Sequence, residues 1–272
     1  MRSRPKKFWL LLALLAATPL MAHDMFWRLS SYYVAPSTKI ALPMLNGTFS
    51  KSENSIEWAR VADLSVAEPG VRRVADSVSW RTDGDTSRLM YTTGATGTYV
   101  VGLSTKSRDL SLDAKSFNTY LADDGIPDVL AARKRDGLLQ QPARERYSKH
   151  VKAIFQVGQN RTDGWETNFG YPAELVPLAN PYTTKVGTTL QFRCLVDGKP
   201  VANQLVMVGG RRGPSGDQRL PARSLRSDRD GMVSVPVTAA GRWYVKFIHM
   251  QRTSDTSVDY ESKWATITFE VR

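Results

Sequence analysis

Most of the chain consists of short runs in which apolar and polar residues alternate with a period of two. In residues 263–271, the side chains of Ala265, Ile267, Phe269 and Val271 would share one face of an extended segment. This alternation is typical of β-strands that bury one face. The segments that we predict as strands are residues 39–45, 99–103, 147–157, 188–196, 204–208, 232–237, 242–250 and 263–271.

Turn-forming residues separate these runs. Examples are Asn46-Gly47, Pro69-Gly70 and Asp83-Gly84. Short strands with such connections favour antiparallel sandwiches. We therefore predict a mainly β protein with an N-terminal antiparallel β-sandwich in residues 23–158 and a second all-β unit in residues 173–272. The polar residues 159–172 between them are predicted to form a linker.

A short helical insertion is expected near residues 113–146, where the apolar residues recur at helical rather than strand spacing. Asp113 would cap the first helix, which Gly125 and the residues after it would end. Asp128 would cap a second short helix, and Gly137 would close it.

The first 22 residues have the three-part layout of a secretory signal peptide. Four basic residues precede an unbroken apolar run from Phe8 to Ala17, and the small residue Ala22 precedes a cleavage site. The apolar run has about 10 residues, whereas a membrane-spanning helix needs roughly 20. We expect cleavage after Ala22, a periplasmic location and no transmembrane segment in the mature chain; a short membrane anchor is the alternative.

The charge and the cysteine content argue against nucleic-acid binding and against a reactive thiol. The net charge of +11 falls to +7 once the four basic residues of the leader, which holds no acidic residue, are removed. The remaining Lys and Arg are scattered among acidic residues, whereas nucleic-acid binders cluster them, so no nucleic-acid partner is expected. The single cysteine, Cys194, lies in an apolar run and is predicted to be a buried, unreactive thiol.

His23 is the most informative of the three histidines. Cleavage after Ala22 would make it the first residue, so that a free α-amine and the ring Nδ1 could chelate one metal ion. That donor pair suits a borderline ion such as Ni²⁺, Co²⁺ or Cu²⁺, and Asp24 could add an oxygen. The bulky Trp27 could form a wall of such a site. The alternative is that His23 is a frayed terminal residue without a role.

His249 offers a second candidate metal ligand. It ends a predicted strand whose hairpin partner would bring Glu261 near it, with Asp259 in the connection. The alternative is an imidazole at the edge of the core that is hydrogen-bonded to a neighbouring carboxylate. His150 is a weaker candidate, because Lys149 and Lys152 are close in sequence and ammonium groups disfavour cation binding.

No established catalytic motif is present in the sequence, including the nucleophile elbow, the phosphate-binding loop and the zinc-binding helix. The Gly209–Gly216 segment is glycine-rich and basic, but it lies between strands and is predicted to be a flexible loop. We therefore do not expect an enzyme. A copper oxidase with an N-terminal histidine brace would need a second histidine close to His23.

The sequence resembles the bacterial envelope family called domain of unknown function 4198, some of whose members have been labelled nickel or cobalt uptake accessory proteins. The stretches that carry the resemblance are His23–Trp27, Phe117–Gly125, Glu145–Lys149, Leu175–Tyr182, Gly241–Trp243, His249–Met250 and Glu261–Thr266.

The resemblance implies a periplasmic protein whose C-terminal unit is an immunoglobulin-like β-sandwich. Together with the chemistry of His23, it favours a periplasmic accessory protein that binds or delivers a divalent transition metal, with a metal-uptake membrane complex as a partner. A non-catalytic exported module for structural, protein or glycan contacts stays open as the alternative.

Overall fold

The computed structural model describes residues 23–213 and 218–272 and shows a mainly β protein, as the sequence predicts. The predicted signal peptide lies outside the described residues. The strands are β1 Asp24–Trp27, β2 Tyr33–Val34, β3 Lys39–Gly47, β4 Val61–Glu68, β5 Val71–Val74, β6 Trp80–Asp83, β7 Thr86–Thr92, β8 Gly97–Thr105, β9 Arg108–Leu112, β10 Ala143–Val157, β11 Ala173–Pro177, β12 Thr189–Val196, β13 Lys199–Pro200, β14 Leu205–Arg212, β15 Gln218–Arg226, β16 Met232–Pro236, β17 Gly241–Arg252 and β18 Tyr260–Val271.

The helices are α1 Ala114–Asp123 and α2 Pro127–Arg135, and short 3₁₀ turns occur at Trp58–Arg60, Asp163–Glu166 and Pro181–Thr183. Within the described part of the chain, no helix is both long and apolar enough to cross a bilayer.

The strands form one large central sheet and two small sheets. The central sheet has the order β15-β14-β17-β18-β10-β8-β4-β5, and β2 and β9 also pair with β10. The first small sheet has the order β1-β3-β7-β6, which we call the amino sheet. The second contains β11, β12, β13 and β16, which we call the carboxyl sheet. Both predicted β units therefore contribute strands to the central sheet.

The two small sheets lie on opposite faces of the central sheet. On one face, Tyr244 packs against Phe26 of the amino sheet, with ring centroids 5.2 Å apart. On the other face, Phe269 packs against Phe192 of the carboxyl sheet at 5.7 Å. Alternate residues of β17 and β18 point to these two layers, because side chains alternate across a strand. The result is a three-layered β-sandwich in which a small sheet packs on each face of the central sheet.

β10 is the strand that joins the two halves of the central sheet. It pairs in parallel with β18, from Glu145 opposite Tyr260 to Ala153 opposite Thr268. Its other side pairs antiparallel with β8 and β9. β10 therefore pairs with strands of the predicted N-terminal unit, and it begins at Ala143 rather than at the predicted residue 147.

The helical insertion is shorter than predicted. Asp113 caps α1 as expected, since its carboxylate accepts a hydrogen bond from the N–H of Ser116 at 2.8 Å. The N-cap of α2 is Ile126, and Asp128 lies in the first turn, so the prediction that Asp128 caps it is wrong. The proline after Ile126 supplies a preset φ at the first helical position, where no N–H is needed. α2 ends at Arg135 and Gly137 closes it in a left-handed conformation, as predicted, but the insertion gives way to β10 at Ala143 rather than near residue 146.

The Gly209–Gly216 segment was predicted to be a loop, but part of it is a strand. Gly209 to Arg212 continue β14, and residues 214–217 lie outside the described part. Gly209 fits the strand because a side chain there would collide with the ring of Tyr244. β15, which the sequence analysis did not predict, follows as an exposed arginine-rich edge strand.

A buried ion pair connects β10 to β11, the first strand of the carboxyl sheet. Lys152 Nζ lies 3.0 Å from Glu174 Oε1, and the two side chains are 3% and 2% exposed. The carboxylate of Glu174 also accepts hydrogen bonds from the backbone N–H groups of Phe169, Gly170 and Tyr171. Because these contacts satisfy the carboxylate from several sides, the buried charge is tolerated.

We expect Lys152→Met to destabilise the fold by about 3–5 kcal/mol, because it leaves the Glu174 carboxylate buried without its cation. The double variant Lys152→Met/Glu174→Gln should recover part of this loss. Chemical denaturation followed by circular dichroism measures both effects.

The exposed pair Arg135–Asp136, at 3.2 Å, provides the control. Arg135→Gln should cost no more than about 1 kcal/mol, as is usual for exposed ion pairs. A Lys152→Met variant as stable as Arg135→Gln would show that the buried ion pair does not stabilise the packing of β10 against β11.

Candidate functional site

His23 lies at the start of an anchored strand. β1 pairs antiparallel with β3, with Asp24 opposite Gly47. The Nζ ammonium of Lys149, on β10, donates a hydrogen bond to the carbonyl oxygen of His23. The His23 side chain is 28% exposed. Its backbone is therefore held from two directions, while its imidazole remains accessible to solvent.

A carboxylate faces this imidazole. His23 Nδ1 lies 3.2 Å from Glu53 Oε2. Glu53 follows β3 in a turn that folds back on the strand, where its N–H donates to Asn46 O at 2.9 Å. The turn requires glycine at position 47, because a Cβ there would lie 2.6 Å from the carbonyl oxygen of Lys51. This tight turn returns the Glu53 carboxylate to the side of β1.

A cavity of about 900 Å³ opens beside the His23–Glu53 pair. Its volume lies within the range of about 300–1,000 Å³ that is usual for small-ligand sites. The acidic residues of its lining are Asp24, Glu53, Glu57 and Asp124, and the basic residues are Arg60, Arg108 and Lys149. Such a lining favours an ion or a polar ligand over an apolar one.

Charged side chains of both signs lie near His23. Asp24 Oδ2 accepts a hydrogen bond from Lys246 Nζ, whereas Asp24 Oδ1 is buried and has no hydrogen-bond partner. Lys149 Nζ lies 4.3 Å from the centroid of the Trp264 ring. Burial lowers the pKa of Lys149 to about 8, although the nearby Asp24 and Asp124 carboxylates act to raise it. The pKa of Asp124 is raised to about 7, mainly by burial and secondly by the negative charge of Asp24.

The donor set of this cavity fits a transition metal only in part. The imidazole of His23 and the carboxylate of Glu53 converge, and the unpartnered Oδ1 of Asp24 lies in the same cavity lining. Across residues 23–213 and 218–272, no group of three or more His, Cys, Asp or Glu side chains is arranged to hold a metal ion. A metal site here would need a further donor, such as the α-amine of a chain that begins at His23.

His249 lies on β17, but its cross-strand neighbour is a lysine. The predicted hairpin of β17 and β18 is present, with His249 opposite Lys263 and Gln251 opposite Glu261. His249 Nδ1 contacts Gln204 Oε1 at 3.0 Å. Burial and the charge of Lys263 lower the pKa of His249. The imidazole therefore has an amide partner and a cationic neighbour.

The carboxylates near this hairpin are engaged by cations. Asp259 forms an ion pair with Arg144 at 3.2 Å. Glu261 lies 3.9 Å from Lys263 Nζ. The structure does not bring Asp259, Glu261 and His249 together as one group of metal ligands.

His150 is buried and both of its ring nitrogens are engaged. Nδ1 contacts Ser104 Oγ at 2.9 Å, and Nε2 contacts Ser148 Oγ at 3.0 Å. Burial lowers its pKa to about 3, so the ring is neutral. It points to the face of β10 opposite that of Lys149, since successive side chains alternate. His150 is therefore separated from the cavity beside His23.

Trp27 contributes to the core rather than to the lining of this cavity. Its side chain is fully buried, and its ring NH donates to the carbonyl oxygen of Val151 at 3.1 Å. The ring packs edge-on against Trp80, with centroids 6.2 Å apart. Trp27 fixes the end of β1 against β10 and so positions His23 indirectly.

Sequence reasoning missed four residues of this site: Glu53, Asp124, Lys149 and Lys246. Glu53 lies in a turn, Asp124 follows α1, and Lys149 and Lys246 lie on different strands, so their convergence depends on tertiary structure. One signal was present, because Lys149 is the single charged residue on its face of the predicted strand 147–157, which it shares with Val151, Ala153 and Phe155.

Asp124→Asn should change the pH dependence of stability. An acid whose pKa rises from 3.8 to about 7 on folding destabilises the folded state as pH rises through that window. The variant should therefore melt at a higher temperature than the wild type at about pH 8, and the two should converge near about pH 4. Thermal melts over this pH range measure the difference.

The adjacent exposed residue allows a control, Asp123→Asn, which removes the same charge outside the cavity. If it reproduces the effect of Asp124→Asn, the surroundings of Asp124 are not its cause.

Comparison with known proteins places the chain in a family. A search of curated proteins finds no match. Residues 20–251 match the model of the family described as "Domain of unknown function (DUF4198)". The match spans the amino sheet, the helical insertion and most of the C-terminal strands. The chain therefore belongs to the DUF4198 family.

Proposed function

We propose that this protein is exported to the periplasm, loses its leader after Ala22, and binds a divalent transition metal at His23. Nickel, cobalt and copper are the ions that its donors suit. The observation that carries the proposal is the 3.2 Å approach of Glu53 Oε2 to His23 Nδ1 in the wall of a cavity.

The geometry is favourable because the nitrogen that faces Glu53 is the one that can chelate. In an N-terminal histidine, the α-amine and Nδ1 close a ring around one ion. Glu53 would then supply a carboxylate oxygen on the side where Nδ1 points. Amine, imidazole and carboxylate together form a donor set that favours Cu²⁺ and Ni²⁺ over Mg²⁺ and Ca²⁺.

Lys149 contributes by positioning rather than by ligation. Its hydrogen bond to the His23 carbonyl occupies that oxygen and holds the residue against β10. The α-amine and the imidazole are then the groups of His23 left for a metal. A terminal residue held in this way loses less conformational entropy on binding than a frayed one would.

The accessibility of the site favours delivery of the ion. The side chains of His23 and Glu53 are 28% and 39% exposed. Structural metal sites are usually closed by four protein ligands, whereas a site with open positions can exchange its ion. An accessory protein that passes the metal to a membrane uptake complex fits such a site.

A non-catalytic exported interaction module is the second candidate function. It is favoured by the surroundings of the other two histidines, which contact serine hydroxyls and a glutamine amide. In that case the His23–Glu53 pair is a surface ion pair, which contributes little to stability.

Protein that begins at His23 should bind Ni²⁺ or Cu²⁺ in calorimetric titration, with one ion per chain. A variant with one extra residue before His23 should bind at least about tenfold more weakly, because the α-amine becomes an amide and one strong donor is lost. Mass spectrometry of both samples verifies their N-termini.

The substitution His249→Gln is the control and should leave the affinity unchanged. Equal affinity of the processed and the extended protein would contradict chelation by the α-amine. If neither protein binds any of the three ions, the interaction module becomes the better account.

Glu53→Gln should also weaken metal binding by about tenfold, since a neutral amide oxygen replaces a carboxylate ligand. Glu57→Gln is a matched control, because Glu57 lines the same cavity without a contact to His23. Equal losses in the two variants would indicate a general electrostatic effect instead of ligation by Glu53.

A further inference from the structure

A second cavity, of about 750 Å³, lies at the far end of β10. Three strands that run parallel to each other end there, since β10 pairs in parallel with both β2 and β18. Parallel strands end at the same edge of a sheet, so the residues that follow them converge. The cavity lining includes Tyr33, Gln156, Arg161, Tyr182, Lys185 and Arg272.

The charges of this lining have one sign. Arg161, Lys185 and Arg272 are cationic, and the lining holds no Asp or Glu side chain. Among the described residues, neither Arg161 nor Lys185 forms a salt bridge, and both are exposed at the mouth. Clefts lined by one sign of charge concentrate ions of the opposite sign.

Arg272 is only partly neutralised. Its Nε lies 3.5 Å from Glu270 Oε1, and the same carboxylate lies 3.8 Å from Arg242. Its guanidinium carbon lies 3.4 Å from the centroid of the Tyr33 ring. A planar guanidinium stacked on an aromatic ring keeps its edge N–H groups directed outward, where they can bind an oxyanion in a forked geometry.

The wall behind these cations is rigid and already hydrogen-bonded. Tyr182 packs edge-on against Tyr33 at 5.0 Å, and its hydroxyl donates to the carbonyl oxygen of Ile154 at 2.5 Å. The amide of Gln156 donates to Asn160 O at 2.7 Å and to two neighbouring carbonyl groups. These groups are therefore occupied within the fold.

Tyr33 belongs to the cavity lining and carries a hydroxyl group. Burial raises the pKa of Tyr33, against the opposing charges of Arg272 and Arg161. The hydroxyl therefore stays protonated at neutral pH and can donate a hydrogen bond. Two cations at the mouth, a stacked guanidinium and a hydroxyl together match the acceptor atoms of a phosphate or a carboxylate.

We infer that this cavity binds a small organic oxyanion, a molecule that carries a phosphate or carboxylate group beside a planar or apolar part. The oxyanion would contact Arg161, Lys185 and Arg272, and the remainder would lie against the apolar lining residues Val34, Pro36 and Pro181. The site is separate from the one at His23, because Lys149 and Gln156 lie roughly 23 Å apart along β10 at the usual rise of a strand.

Calorimetric titration and thermal melts with inorganic phosphate, phenyl phosphate and citrate test the inference, at an ionic strength held constant with NaCl. We expect saturable binding of at least one probe and a higher melting temperature in its presence. Phenyl phosphate should bind more tightly than inorganic phosphate if the apolar lining holds the phenyl group, and tighter citrate binding would identify carboxylates as the preferred group.

The double variant Arg161→Gln/Lys185→Gln should weaken binding at least about tenfold, since each charged contact is worth more than a neutral one. Arg223→Gln/Lys199→Gln is the charge-matched control, because both residues are exposed and lie outside the cavity. Equal weakening in the two double variants would overturn the inference, as would the absence of binding by all three probes. Melts without ligand verify that the variants fold.

Discussion

The parallel pairing of β10 with β18 is the constraint on which the rest of the structure depends. β10 lies in the middle of the chain and β18 near residue 272, about 115 residues further on, yet the two strands are paired over nine residue pairs. Through this pairing the strands of both predicted β units become one sheet with a small sheet on each face. Both cavities are formed around β10, so the positions of their side chains depend on this one interaction.

An internal strand has few places for charge, and β10 carries two buried lysines. Lys152 faces the carboxyl sheet, where Glu174 neutralises it. Lys149 faces the amino sheet, where its partner is the carbonyl oxygen of His23 and two carboxylates lie nearby. The first lysine stabilises the connection between the halves. Burial lowers the pKa of the second lysine to about 8, and perturbed pKa values of this kind cluster at functional sites.

The sequence predicts the architecture better than the site. The mainly β class, the Asp113 cap and the hairpin of β17 and β18 follow from local patterns, because period, capping and turn chemistry are encoded over a few residues. The parallel contact of β10 with β18 and the convergence of Glu53, Asp124 and Lys149 have no local signature. β15 was missed because its exposed edge lacks apolar alternation, and Asp128 was misread because Pro127 can begin a helix without a side-chain cap.

The arginine-rich composition of β15 affects the tendency of the protein to associate with itself at high concentration. An open sheet of this size ends in two strands, β15 and β5, whose outer backbone groups could recruit a strand of another molecule. Arg219 and Arg223 lie along the first border, and Arg72 and Arg73 lie along the second. Asp63 and Glu68 pair with Arg72 and Arg73, so like-charge repulsion opposes edge-to-edge association chiefly along β15.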